Sequence, residues 1–284
     1  MNPNSAAVRE ILHRHGLAAS RERGQNFLVD EGVARELVEL AGVEPGDSVI
    51  EVGTGLGILT RALGERAQRV VTIEVDAGLV RALRTEALLP ANAELVHADA
   101  LALDWPALVR ERAATRVVAN LPYAISAPLL RALLDLRGDL VDWSVMIQRD
   151  VADRLLAEPG GRNYSSLTVL HRLCATLRRA RDLAPGLFFP VPNVRSSFVR
   201  VTPRAEAPSG ADELAQIEAV VRAAFGQRRK TLANALRGAG LPEPAEACAA
   251  VGIDPRARAE SLAPEAFRAL TRALGTPLPG LRAR

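Results

Sequence analysis

The feature that most constrains this chain is a series of short β-branched apolar runs at 48–52, 70–75, 93–97, 116–119 and 144–148, separated by stretches with helical patterning. Runs apolar at nearly every position suit strands buried on both faces, and strands spaced by helices pair in parallel through crossovers. An α/β sheet with helices on both faces is therefore expected between residues 48 and 149. The first 45 residues read as helical and precede it. After Arg149 come a helical stretch, a Pro159-Gly160-Gly161 break and a helix around 165–173. Two extended candidates follow, 175–182 and 196–202, which could close the sheet as an antiparallel pair.

A chain of 284 residues, 48% hydrophobic and 24% charged, can bury a real core. No window approaches the roughly 18 consecutive apolar residues of a membrane span, and the N-terminus, with Arg9, Glu10, His13 and Arg14, has no apolar leader core. No membrane partner is expected. Cys174 and Cys248 lie far apart without a Cys or His at ligand spacing, so no metal site is expected and a reducing cytoplasm is. Between Pro203 and Gly210 the composition turns to Pro, Ser, Gly and charged residues, which places a domain boundary there: 1–204 and 205–284. The second part shows 3.6-residue periodicity at Leu214, Ile217, Val220, Val221, Ala224 and Phe225, and is expected to be a small all-helical domain. The net charge is only +3, but Arg228, Arg229 and the single lysine, Lys230, fall in a stretch, 219–242, with no acid. Composition alone allows either a solvated helix face or a nucleic-acid surface.

Gly53-Thr54-Gly55-Leu56-Gly57 follows the first strand and opens a helix, where a tight turn and close approach of backbone to ligand both call for glycine. A dinucleotide fingerprint would place its third Gly or Ala where Ile58 stands, so the spacing suits a ligand without a pyrophosphate. Glu74 ends the second strand, the usual place for an acid that takes ribose hydroxyls, and Asp99 ends the third, where it can accept from an adenine amino group. Each alone could be a helix cap; together, at successive strand ends, they argue for an adenosine ligand.

The fourth strand ends in Asn120-Leu121-Pro122-Tyr123. An exocyclic adenine amine is a poor nucleophile because its lone pair is delocalised into the ring. Two acceptors on its N–H groups would localise that pair and aim it at an electrophile without a strong base. Asn120 offers a side-chain carbonyl and Leu121 a backbone one, which Pro122 biases toward an extended conformation. Tyr123 offers a ring face for an extruded base.

With these motifs the chain resembles, over nearly its whole length, the ribosomal RNA adenine N6-dimethyltransferases, and most of all the bacterial small-subunit branch linked to kasugamycin resistance. Gly24-Gln25-Asn26-Phe27-Leu28-Val29-Asp30 resembles the family's N-terminal motif. The resemblance implies a class I (Rossmann-like) methyltransferase sheet with a helical C-terminal domain, and S-adenosyl-L-methionine as cofactor. It carries cofactor roles to Asn26, Leu28, Gly53, Glu74, Asp99 and Asn120, with Gln25, Gly55 and Ala100 as further candidates beside them. The stretch from Phe188 to Ser196 resembles the family's second target-base motif, which implies that Phe188 packs on the adenine; Arg195 stands where an acid is expected, and Thr54 where many members carry Pro. The stretch from Phe225 to Leu236 is similar to the small-subunit enzymes, and implies that Arg228, Arg229 and Lys230 contact RNA phosphates. The implied activity is dimethylation of two adjacent adenines near the 3′ end of small-subunit ribosomal RNA, in a pre-ribosomal particle; a monomer is expected. Rival readings are a methyltransferase acting on adenine in another nucleic acid such as DNA, and a non-catalytic ribosome assembly factor. A dehydrogenase is disfavoured by the glycine spacing.

Overall fold

The computed structural model describes residues 4–19, 24–227 and 229–275. Its strands are β1 (Phe27–Leu28), β2 (Ser48–Val52), β3 (Arg69–Glu74), β4 (Ala93–His97), β5 (Arg116–Asn120), β6 (Asp142–Gln148), β7 (Ala175–Leu183), β8 (Phe188–Phe189) and β9 (Ser196–Pro203). Seven of them form one sheet in the order β4-β3-β2-β5-β6-β9-β7, and β1 pairs with β8 in a separate ribbon. From β4 to β6 every neighbour is parallel, and β9 runs antiparallel to β6. All five residues of β2 are buried, which is why its sequence is apolar or hydroxylic at every position but one. At the sheet edge β4 is only half-buried.

Helices alternate with the parallel strands, and side-chain caps start several of them. Asp30 accepts from the Val33 amide ahead of helix Glu31–Ala41, and Asp76 from the Gly78 and Leu79 amides ahead of helix Ala77–Thr85. Helix Glu31–Ala41 buries Val33, Ala34, Leu37, Val38 and Ala41, the one-sided stripe that an amphipathic helix lays on a sheet. These join Val49, Leu63, Val70, Val118 and Phe198 in one hydrophobic core cluster.

At the amino edge of the sheet a chain of charges, three buried and one half-buried, ties four segments together. Arg116 Nε lies 2.7 Å from Asp47 and its Nη1 2.5 Å from Asp142 Oδ2, which also accepts from Arg200 of β9 at 2.5 and 2.9 Å.

The chain forms two compact units: residues up to Ala152 with Arg178–Pro203, and Asp153–Leu177 with the residues from Arg204 on. This corrects the single cut after residue 204. The second unit takes in helix Ser166–Cys174 as well as helices Gly210–Phe225, Leu232–Gly238, Pro244–Ala250 and Pro264–Ala273. The reason is aromatic packing: Tyr164 lies 6.0 Å from Phe225, which lies 5.9 Å from Phe267, and the Tyr164 hydroxyl donates to the Leu262 carbonyl. Glu213 binds Arg268 and Arg272 in the same unit, and the Arg268 guanidinium holds its carboxyl down at about 2.

Asp142 is fully buried, so its removal leaves the buried Arg116 guanidinium without its second counter-ion. Asp142→Ala should destabilise the protein by about 3–5 kcal/mol, read as a lower midpoint in urea at unchanged slope; a loss below about 1 kcal/mol would show that the cluster is not fastening the strands.

Candidate active site

At the carboxyl edge of the parallel strands the structure holds a cavity of about 330 Å³, walled by the strand-to-helix loops and the segment 24–28. The glycine turn forms its floor. Gly53 has φ +83°, and a Cβ there would stand 3.2 Å from the Asn120 carbonyl oxygen and 3.3 Å from Pro122 Cδ, so both the dihedral and the space demand glycine. Gly55 turns its amide onto the Glu74 carboxylate, with N to Oε2 at 3.0 Å. Glu74 Oε1 accepts from the Val75 and Asp76 amides at 3.0 and 2.9 Å. Burial nevertheless outweighs these bonds and holds the Glu74 carboxyl above its ordinary range.

Asp99 is exposed at the cavity mouth, where its Oδ1 accepts from the Leu101 amide at 2.9 Å. Next to it Ala100 is buried, and its carbonyl accepts from Trp105 Nε1 at 2.8 Å. Both acids thus serve their local turns, as caps would, while facing the same cavity.

Asn120 closes the opposite side. Its Nδ2 donates to the Asn26 carbonyl at 3.1 Å, and Asn26 Nδ2 donates in turn to the Gly24 carbonyl at 3.2 Å. That bond orients the amide: with Nδ2 committed to a backbone carbonyl, Oδ1 is the acceptor left for a ligand. The Leu121 amide donates to the Met146 carbonyl at 3.1 Å, which anchors the peptide whose carbonyl follows. Tyr123 begins a short 3₁₀ turn, and its hydroxyl lies 2.9 Å from Ser196 Oγ.

Gln25, Asn26, Leu28, Gly53, Gly55, Glu74, Asp99, Ala100, Asn120, Leu121 and Tyr123, remote in sequence, all line this one cavity. Phe188, expected to pack on the adenine, is not among the residues that line it. In the β1–β8 ribbon Phe188 pairs with Leu28, and at 1% exposure it is packed in the core with Leu183 and Phe198. Its half-buried neighbour Phe189 has the Arg9 guanidinium 5.3 Å from its ring centroid. Arg229 and Lys230 are exposed just before helix Leu232–Gly238; Arg228 lies outside the described residues.

Sequence reasoning missed the apolar wall, chiefly Phe27, Leu56, Val75 and Leu79, and it missed Glu51. The signal for Glu51 was present: it is the one acid inside a strand otherwise buried on both faces. Its Oε2 accepts from Thr60 at 2.5 Å and Thr72 at 2.7 Å, while Oε1 has no partner among the described residues. Burial pushes the carboxyl up to about 8.

The consequence is a pH-dependent contribution to stability of definite sign. Because the folded state holds the Glu51 proton and the unfolded state releases it near 4.5, stability is lost as pH rises from that value through about 8. Glu51→Gln removes this dependence. Melting curves from about pH 5 to pH 8 should show the variant gaining steadily on the parent; parallel curves would mean that Glu51 stays ionised in the fold.

The ribosomal RNA adenine dimethylase model matches residues 17–274 of this chain. A ribosomal RNA small subunit methyltransferase A of Magnetococcus marinus is 40% identical over 273 residues, covering 96% of each chain. The protein so named in Streptomyces avermitilis is 43% identical over 272 residues, 92% of this chain and 90% of that one. Among solved structures, the crystal structure of a dimethyladenosine transferase from Plasmodium falciparum is similar with a TM-score of 0.70 at 24% identity, covering 85% of this chain and 94% of that one. At that identity the likeness is one of fold.

Proposed function

This chain belongs to the ribosomal RNA adenine dimethylase family, and from that premise we propose that it dimethylates N6 of two adjacent adenines near the 3′ end of small-subunit ribosomal RNA. The fold is the class I methyltransferase sheet with a helical C-terminal region, and the cofactor of the family is S-adenosylmethionine. The proposed substrate form is a pre-ribosomal particle and the proposed place the bacterial cytoplasm, with the enzyme acting as a monomer. No helix among the described residues is long and apolar enough to cross a membrane.

The cavity fits an adenosine-based cofactor. A Cβ at Gly53 would fill the approach to the floor, the Glu74 carboxylate stands at the end of β3, and Glu51 Oε1, without a partner among the described residues, leaves one polar atom of the floor unsatisfied. In this reading Glu74 takes the ribose hydroxyls, Asp99 the adenine amino group, and the segment from Gln25 to Leu28 closes the pocket with Gly53, Gly55 and Ala100. When bound there, S-adenosylmethionine supplies a methyl group made electrophilic by its sulfonium charge.

The observation that carries the reading is the Asn120–Asn26 hydrogen bond, because it leaves Asn120 Oδ1 as a fixed acceptor at the cavity. Asn120 Oδ1 and the Leu121 carbonyl would each accept one N6–H of an extruded adenine. The amine is then held with its lone pair localised and pointed at the methyl. Tyr123 supports one face of the base, a stacking interaction worth about 1–3 kcal/mol. Arg229 and Lys230, and Arg228 with them, would bind backbone phosphates, which positions the RNA without reading its sequence.

Two experiments test this. Asn120→Ala should lower transfer of labelled methyl to under-methylated small subunits by roughly 10²–10³-fold, with subunit binding retained and dimethyladenosine lost from the nucleoside digest. Undiminished transfer would remove Asn120 from the chemistry, and no transfer by the parent protein would favour an assembly role. Replacing Arg229 and Lys230 by Ala should weaken subunit binding and reduce the slope of log affinity against log salt by about 1 to 2; an unchanged slope would leave those cations in solvent.

A further inference from the structure

Tyr123 is held at both ends before any substrate arrives. At its root, a Cβ on Gly24 would stand 3.1 Å from the Tyr123 amide nitrogen and 3.4 Å from Tyr123 Cβ, so the turn is packed against the backbone of the N-terminal segment. At its tip the phenol meets Ser196 Oγ at 2.9 Å. Ser196 is 1% exposed and opens β9 opposite Gln148, the last residue of β6, while the Arg149 amide donates to the Arg195 carbonyl one position earlier. The next hydroxyl, on Ser197, goes to Asp182 instead. The anchor is therefore a side chain fixed in a paired strand, with its hydroxyl given to the tyrosine.

We infer that Ser196 is a positioning residue whose hydroxyl fixes the Tyr123 platform, and that this matters most for the second methyl transfer. The inference rests on the reading of the site given above. In each transfer the N6 lone pair forms the new N–C bond as the C–S bond breaks, its electron pair stays on sulfur to give a thioether, and the proton on N6 leaves to water. Unmodified adenine presents two N–H groups to two acceptors, Asn120 Oδ1 and the Leu121 carbonyl. After the first transfer a methyl group occupies one of those positions and a single N–H remains. One hydrogen bond does not fix the plane of the base, so its orientation then depends on the ring it stacks against. A ring free to swing about its χ angles relaxes that orientation, and one anchored at its hydroxyl keeps it.

The test is a double-mutant cycle on under-methylated small subunits, with N6-methyladenosine and N6,N6-dimethyladenosine quantified separately after short reactions. Ser196→Ala should leave the first transfer within about threefold of the parent, and should raise the mono- to dimethyl ratio by roughly two- to tenfold, the range of one neutral hydrogen bond. Tyr123→Phe, which removes the other half of the same bond, should give a similar ratio, and the double variant should be no worse than either single one. Ser196→Thr should restore the parental ratio, and calorimetric affinity for S-adenosylmethionine should not move in Ser196→Ala. A parental ratio in Ser196→Ala, or effects that multiply in the double variant, would overturn the inference alone. Absence of dimethyladenosine from the parent reaction would overturn the reading of the site, and the inference with it.

Discussion

The cavity depends on the parallel register of β3, β2 and β5. Val52 pairs with Ile73 and Ile50 with Val117, so the last residues of the three strands reach the same edge together, and the turn after β2 meets Glu74 on one side and Asn120 on the other. A slip of β2 by one residue would turn Glu51 from the cavity floor to the opposite face and carry the Gly55 amide away from Glu74. At the far edge the Asp47–Arg116–Asp142–Arg200 cluster opposes such a slip, since Arg116 and Asp142 are themselves register partners and each guanidinium has its carboxylate placed by a different strand. Buried ion pairs add little net stability against apolar substitutes, but mispairing them is expensive. They are therefore better suited to specifying alignment than to supplying binding energy.

Two buried carboxyl groups in one cavity are costly, and the structure shows how far each is compensated. Glu74 is met by three backbone amides, Glu51 by two threonine hydroxyls on one oxygen only, and the proximity of Glu74 raises Glu51 further. The surrounding wall is apolar and is continuous with a second cluster, in which Phe27, Leu56 and Leu79 pack against Val8 and Leu12 of helix Asn4–Arg14. Arg14 and His15 fasten the end of that helix to Glu86, at 2.7 and 2.9 Å. The N-terminal helix is in this way part of the site's support, although none of its residues reaches the cavity.

Much of this was legible in the sequence, and the rest was hidden for identifiable reasons. Strands buried on both faces announce themselves by composition, so the five parallel strands stand within two residues of their expected ends. Glycine, acid and Asn-Leu-Pro-Tyr signals mark strand ends, and strand ends of a parallel sheet converge. The burial of Phe188 was not legible in the sequence, because β8 is two residues long, too short for alternation to say which of two adjacent phenylalanines faces inward. The second unit's claim on Asp153–Leu177 left no mark because the chain enters that unit inside helix Arg149–Leu155, without the Pro, Gly and Ser that signal a boundary at 203–210. The apolar wall could not be separated from ordinary core, since Leu56 and Leu79 belong to both.

The titratable groups around the cavity also bear on how the amine loses its proton. They are Glu51, Glu74, Asp99 and Tyr123. Glu51 is sunk in the floor, with one oxygen on Thr60 and Thr72; Glu74 is spent on three backbone amides; Asp99 accepts from Leu101 at the mouth; and the Tyr123 hydroxyl is paired with Ser196, with burial raising its phenol further. No hydrogen bond is seen from any of the four to Asn120 or Leu121, whose proposed contributions are neutral carbonyls. Neutral acceptors cannot remove a proton from an amine of low basicity, but they need not. Once the N–C bond has formed, the nitrogen carries the positive charge that the sulfonium gave up, and its N–H becomes acidic enough to release to water. A site of this kind accelerates the reaction by orientation and by dipoles aimed at developing positive charge. In the proposed reading what matters is how firmly Asn120, Leu121 and Tyr123 are held, and their hydrogen bonds to the Asn26 carbonyl, the Met146 carbonyl and the Ser196 hydroxyl are the contacts that would hold them.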